Sequence, residues 1–125
     1  VMPSASEIAT NKWLPDSELA YYSAEYGRTG FQGGLQWYRC GTTGAFTPEL
    51  QTWSGRTIDV PSAFISGKQD WGTYQRPGVL EAMQSKACTN MLGSHLVEGA
   101  GHRVQQEQPG EVSRLLVQFL QEAKK

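Results

Sequence analysis

The sequence predicts an α/β protein in which a helical segment precedes a β-α-β-α unit with parallel strands. Three observations carry that prediction. Glycine- and aromatic-rich helical stretches give way near residue 57 to a short, continuously apolar run rich in Val, Ile and Phe, the texture of a strand in a parallel sheet. A second extended run, Ser94-His-Leu-Val-Glu98, follows a helical pattern at 77–86, the spacing a crossover connection requires. Residues 111–124 then place Val112, Leu115, Leu116, Phe119, Leu120 and Ala123 on one stripe, as in a helix packed on a sheet.

Taken in order, residues 1–14 hold few apolar anchors and read as an irregular lead-in. Asp16 or Ser17 then caps a helix, with Leu19, Tyr22 and Tyr26 on one face, and Gly27 and Gly30 end it. Phe31-Gln-Gly-Gly34 reads as a turn. A short helix over 35–39 is expected to break at the glycines of 40–44. Thr47 and Pro48 suit a helix start, giving a further piece to Trp53. The strand over 57–66 is expected to be buried on both faces. Val79, Leu80 and Met83 fit the crossover helix at 77–86, before the second strand and the final helix. Residues 1–56 thus form a helical segment suited to a lid, and 57–125 an α/β segment.

Bulk properties exclude several roles. With 125 residues, a net charge of −1 and 11 scattered Lys and Arg, the chain shows no phosphate-binding face, so nucleic acid is not an expected partner. No apolar run approaches the ~18 residues of a membrane span, and the first ten residues lack signal-peptide character. Cys40 and Cys88 lie 48 residues apart without CxxC spacing, which suggests neither zinc nor a disulfide framework and fits a reduced, cytoplasmic setting. No metal and no cofactor are expected.

Chemistry concentrates after the two strands. Asp70, in Ile65-Ser-Gly-Lys-Gln-Asp70-Trp71, would stand at the C-terminal edge of a parallel sheet, where α/β proteins place their sites. Its alternative role is a turn or cap aspartate. His102, in Gly99-Ala-Gly101-His102, follows the second strand where small residues allow a sharp turn, and the alternative is a packed loop histidine. Adjacent parallel strands would bring the two within hydrogen-bonding reach, and an acid orienting His Nδ1 is what general-base chemistry needs. Tyr38 can donate to an oxygen that gains negative charge, or can simply pack beside Trp37. Trp37, Trp53 and Trp71 offer flat apolar walls. His95 falls inside the second strand and reads as structural, and Glu98 and Glu107 read as solvated carboxylates. No strand leading into a Gly-x-nucleophile-x-Gly elbow precedes these residues, so a nucleophile is expected outside this stretch.

With those residues assembled, the chain resembles the C-terminal part of a soluble-type epoxide hydrolase of the α/β-hydrolase fold. The resemblance runs from Trp13-Leu-Pro-Asp-Ser-Glu-Leu through Thr29-Gly-Phe-Gln-Gly-Gly-Leu-Gln-Trp-Tyr-Arg39, Val60-Pro-Ser-Ala-Phe-Ile-Ser-Gly-Lys-Gln-Asp-Trp71 and Gly99-Ala-Gly-His-Arg-Val-Gln-Gln-Glu-Gln-Pro109 into the final helix. It implies residues 1–56 as lid and 57–125 as part of the hydrolase core. It makes Tyr38 one of two lid tyrosines that polarise an epoxide oxygen, Asp70 the charge-relay acid and His102 the base that activates water, with Trp37 and Trp71 against a hydrophobic substrate. The Trp-Tyr-Arg motif separates epoxide hydrolases from related dehalogenases, which share the acid and histidine motifs. The nucleophilic aspartate is then expected on an N-terminal half, and the isolated chain to be inert. The alternatives are an inactive hydrolase-like protein acting through binding or as a homo-oligomer, and a dehalogenase-like hydrolase. The family usually has Trp where this chain has Arg103, a cation expected to repel a protonated His102.

Overall fold

Pro15 and Gly30 bracket the longest helix of the N-terminal half, and each does so through its backbone. Pro15 sits extended just ahead of the helix, and Gly30, at φ 67, closes it by donating its N–H to Tyr26 O over 2.8 Å. The computed structural model describes residues 4–124. In order it contains α1 (Ala5–Thr10), α2 (Asp16–Thr29), α3 (Gln32–Thr42), α4 (Thr47–Gln51), β1 (Ser62–Gly67), α5 (Trp71–Tyr74), α6 (Val79–Ala82), a π-helical turn (Met83–Ala87), β2 (Met91–Val97), α7 (Val104–Glu107) and α8 (Pro109–Glu122). These fall into two compact units, one ending at Ser54 and one starting at Gly55.

Among the described residues, every regular element of the first unit is a helix, and several boundaries differ from those expected. Residues 5–10 are a helix rather than a lead-in, because Ser4 and Glu7 form a reciprocal capping box: Glu7 N–H donates to Ser4 Oγ and Ser4 N–H to the Glu7 carboxylate. The α2 cap position is Pro15, not Asp16 or Ser17, and the two acids Asp16 and Glu18 lie in the first turn, where the helix dipole favours them. Gly27 does not end that helix. α3 likewise runs through Gly33, Gly34 and Gly41, since a glycine weakens a helix by roughly 1 kcal/mol without forbidding it. An Arg39 guanidinium bond to Gln32 Oε1, 2.7 Å, ties two turns of α3 together. α4 stops at Gln51, short of Trp53.

The second unit is built on a small two-stranded sheet with α8 packed against it. β1 and β2 pair in parallel from Ala63 beside Gly93 to Gly67 beside Val97, as the expected β-α-β unit requires. β1 starts at Ser62 rather than residue 57 because Pro61 cannot donate to the ladder. Upstream only an isolated bridge, Ile58 with Cys88, continues the pairing. The crossover helix begins at Val79 rather than Pro77, as one turn of α-helix that runs on into the π turn, closed by Cys88 N–H to Met83 O over 2.9 Å. Val97, Ala100, Val104, Val112 and Leu115 form one core cluster with Ile65 against it. The sheet is not buried on both faces: Ala63 is exposed, Phe64 and Ile65 are half-buried, and only Ser66 and Gly67 are buried along β1. Of the α8 stripe, Leu116 and Leu120 stay exposed, because two strands are too narrow to receive the whole stripe. Among the described residues no helix is long and apolar enough to cross a membrane.

Candidate active site

The two strands end side by side, and the loops that leave them are stitched together backbone to backbone. Lys68 N–H donates to Val97 O over 2.8 Å and Gln69 N–H to Ala100 O over 3.0 Å. Gly67 makes this approach possible: a Cβ there would lie 2.2 Å from Gly101 O and 2.3 Å from Ala100 O, so no other residue fits without moving backbone. Ala100 is wholly buried beneath the junction. The Lys68 ammonium and the solvated Glu98 carboxylate add an exposed ion pair between the same two loops.

Asp70 and His102 meet across this junction. Nδ1 of His102 lies 3.2 Å from both Asp70 carboxylate oxygens. Asp70 also caps α5, Oδ1 accepting from Gly72 N–H over 2.8 Å, and Oδ2 accepts from the Ser66 hydroxyl over 3.3 Å. One carboxylate therefore caps α5 and faces the imidazole at the same time. Burial works to raise its pKa, but the bonds from Gly72, His102 and Ser66 outweigh that and hold the carboxyl below its ordinary value. An ionised carboxylate can only accept, so the Asp70 contact calls for a proton on Nδ1 of His102. The His102 side chain is 70% exposed.

Tyr38 and Trp37 lie in the first unit, on α3, whereas the acid-base pair lies in the second. Their side chains are strongly exposed, at 68% and 82%. Trp71 opens α5 directly after Asp70 and is also exposed, as is Trp53. His95 is half-buried within β2, and Arg103 is exposed beside His102. Glu107 departs from its expected role as a solvated carboxylate. Its Oε2 accepts from Gly101 N–H over 2.8 Å and its Oε1 from Arg103 N–H over 2.9 Å. The signal available in the sequence was a carboxylate one helical turn beyond a glycine-rich loop. Among the described residues no three His, Cys, Asp or Glu side chains gather as they would around a metal ion. Cys40 and Cys88 are free thiols.

Comparison with known proteins points the same way. No family model matches the chain. It is 40% identical over 114 residues to epoxide hydrolase A of Mycobacterium tuberculosis, covering 86% of this chain and 32% of that protein. It is 35% identical over 123 residues to epoxide hydrolase 1 of Siraitia grosvenorii, covering 94% of this chain and 38% of that protein. Among solved structures, potato (Solanum tuberosum) epoxide hydrolase I superposes with a TM-score of 0.78 at 31% identity, over 98% of this chain and 38% of its own. Epoxide hydrolase A of Mycobacterium thermoresistibile does so with 0.74 at 38% identity, over 89% and 33%. The chain thus spans about a third of the length of the curated relatives it matches. By sequence and by fold it belongs to the epoxide hydrolases of the α/β-hydrolase fold, and corresponds to their C-terminal part.

Proposed function

We propose that the chain supplies the water-activating half of an epoxide hydrolase, which converts a hydrophobic epoxide and water to a vicinal diol. The observation that carries this reading is the Asp70 carboxylate set on Nδ1 of His102 at the ends of two adjacent parallel strands. In this reading residues 1–56 are a lid and residues 57–125 part of the hydrolase core. Trp37 and Trp71 provide flat apolar walls for the substrate. The nucleophilic carboxylate comes from the part of the relatives' length that this chain does not span. Free thiols at Cys40 and Cys88 fit a reducing, cytoplasmic setting.

The chemistry then divides into two displacements. Tyr38 donates a hydrogen bond to the epoxide oxygen while the carboxylate attacks a ring carbon. A C–O ester bond forms, the ring C–O bond breaks, and its electron pair stays on oxygen, which takes the phenol proton. In the second step Nε2 of His102 removes a proton from water, and the hydroxide adds to the ester carbonyl. The acyl C–O bond then breaks, the departing oxygen takes the proton of the carboxylic acid so formed, the imidazolium proton returns to the Tyr38 phenolate by way of water, and the diol leaves. Ionised Asp70 stabilises the imidazolium formed in that step. Support for Tyr38 is its place in the Trp37-Tyr38-Arg39 motif and its exposed phenol.

The division predicts a trapped intermediate. With the nucleophile-bearing part present, the wild-type protein incubated with styrene oxide should release diol over many turnovers. His102→Asn should instead stop after one, leaving a protein heavier by the mass of one epoxide and a turnover rate lowered ~10⁴-fold or more. Continued turnover by the Asn variant at a wild-type rate would show that His102 is not the base.

A further inference from the structure

We infer that Glu107 is a positioning residue for His102: its single carboxylate grips the backbone N–H groups of the two residues flanking the histidine and thereby sets the direction in which the ring leaves the loop. The inference rests on reading His102 as the base, and its test reads the ring itself. The loop needs such a restraint. It contains Gly99, at φ 67, and Gly101, both of which widen the conformations open to the backbone. The imidazole is 70% exposed, so packing does not hold it. At 3.2 Å its contacts with Asp70 are longer than the 2.7–2.9 Å of tight charge-assisted bonds, so the acid alone does not fix the ring.

The backbone around His102 is, by contrast, well secured. Gln69 N–H holds Ala100 O, and the Gln108 amide donates to Gly99 O over 3.3 Å. Glu107 completes the set on either side of the histidine, with Oε2 on Gly101 N–H at 2.8 Å and Oε1 on Arg103 N–H at 2.9 Å. Both carboxylate oxygens are used, one on the N–H of the residue before the histidine and one on that of the residue after it. Glu107 is itself anchored, because it sits on α7, whose Val104 is part of the buried core. A rigid element therefore carries the restraint to a glycine-rich loop, the arrangement that holds a reacting group near its working geometry.

Two conservative variants separate grip from charge. Glu107→Gln keeps the size but can accept through only one oxygen, setting its amide donors against the second N–H. Glu107→Asp keeps the charge but is one methylene short of spanning both N–H groups. The experiment is imidazole and amide NMR on the ¹⁵N-labelled full chain. In the wild type, the Nδ1–H form of His102 should dominate, and the Gly101 and Arg103 amides should exchange roughly 10-fold or more slower than in an unstructured peptide. In both variants that protection should fall, and the His102 ring should move toward the tautomer mixture of an unrestrained imidazole. His95, the chain's other histidine, should keep its signals and so reports that the fold is intact. Wild-type ring signals in Glu107→Asp and Glu107→Gln would overturn the inference. So would unprotected Gly101 and Arg103 amides in the wild type, a measurement that needs no variant to fold. Absence of diol formation with the nucleophile-bearing part present and these signals intact would instead count against the hydrolase reading alone.

Discussion

The two units of this chain handle their apolar residues in opposite ways. From Gly55 onward, Val97, Ala100, Val104, Val112 and Leu115 close into a core, and the loops above it carry a bonded acid and base. Up to Ser54, none of the described residues is buried, and Phe31, Trp37, Tyr38 and Trp53 are all more than 60% exposed. The second unit therefore encodes its site within itself, in contacts between neighbouring strands. The first unit holds regular helices through local means, caps and backbone bonds, and displays its large side chains outward. That contrast suits the division of labour proposed above, in which one part activates water and the other offers a surface.

The sharpest way to break the comparison is to truncate one side chain in each unit. Leu115→Ala removes a residue only 4% exposed at the centre of the cluster, and should destabilise the chain by ~2–5 kcal/mol in a denaturant titration. Trp37→Ala, at 82% exposed, should change stability by no more than about 0.5 kcal/mol despite removing the larger side chain. Comparable losses from both would mean that the aromatic face of α3 is buried in solution.

Legibility in the sequence follows the same boundary. The parallel β-α-β unit, the final helix and the pairing of Asp70 with His102 all rest on patterns with a fixed period or a fixed place at a strand end, and each is found in the structure. Errors arose where a local rule met a competing one. Glycines at 33, 34 and 41 signal a break, yet their cost is small beside the bonds of an established helix. Pro61 signals the late start of β1, but the apolar run around it hid that signal. Ser4 and Glu7 spell a capping box that the polar surroundings masked. Glu107 escaped notice for another reason: its partners are backbone N–H groups, which have no letter in the sequence. Side-chain pairs can be guessed from residue types, whereas a carboxylate that serves the main chain shows only once the loop is folded.

Acid should weaken the second unit through its site. Because Asp70 has its pKa held below the unfolded value, its bonds contribute stability that is complete above about pH 4. That contribution falls away as pH drops through the lower folded-state value, where the native carboxylate finally takes a proton. Unfolding titrations from pH 6 down to pH 2 should show this loss, and Asp70→Asn should remove that part of the slope. An Asn variant with the full wild-type acid slope would assign the effect to other carboxylates, of which Glu111, paired with Arg114 on α8, is the nearest in kind.

The smallest effect belongs to the first unit and tests its local character most directly. α1 spans six residues with none buried, well below the length at which an isolated helix holds in water, so its Ser4 cap is a large share of what sustains it. Ser4→Ala should cost about 1 kcal/mol of local helix stability. Because nothing of α1 is buried, that loss should appear as faster amide exchange at residues 7–10 and leave the midpoint of global unfolding where it was. If the midpoint falls with the cap, α1 is coupled to the folded body through its exposed face, with Ile8, 60% exposed, as the side chain to examine next. If only the local exchange moves, the helices of the first unit are held one by one, and their outward aromatics are free to serve whatever they face.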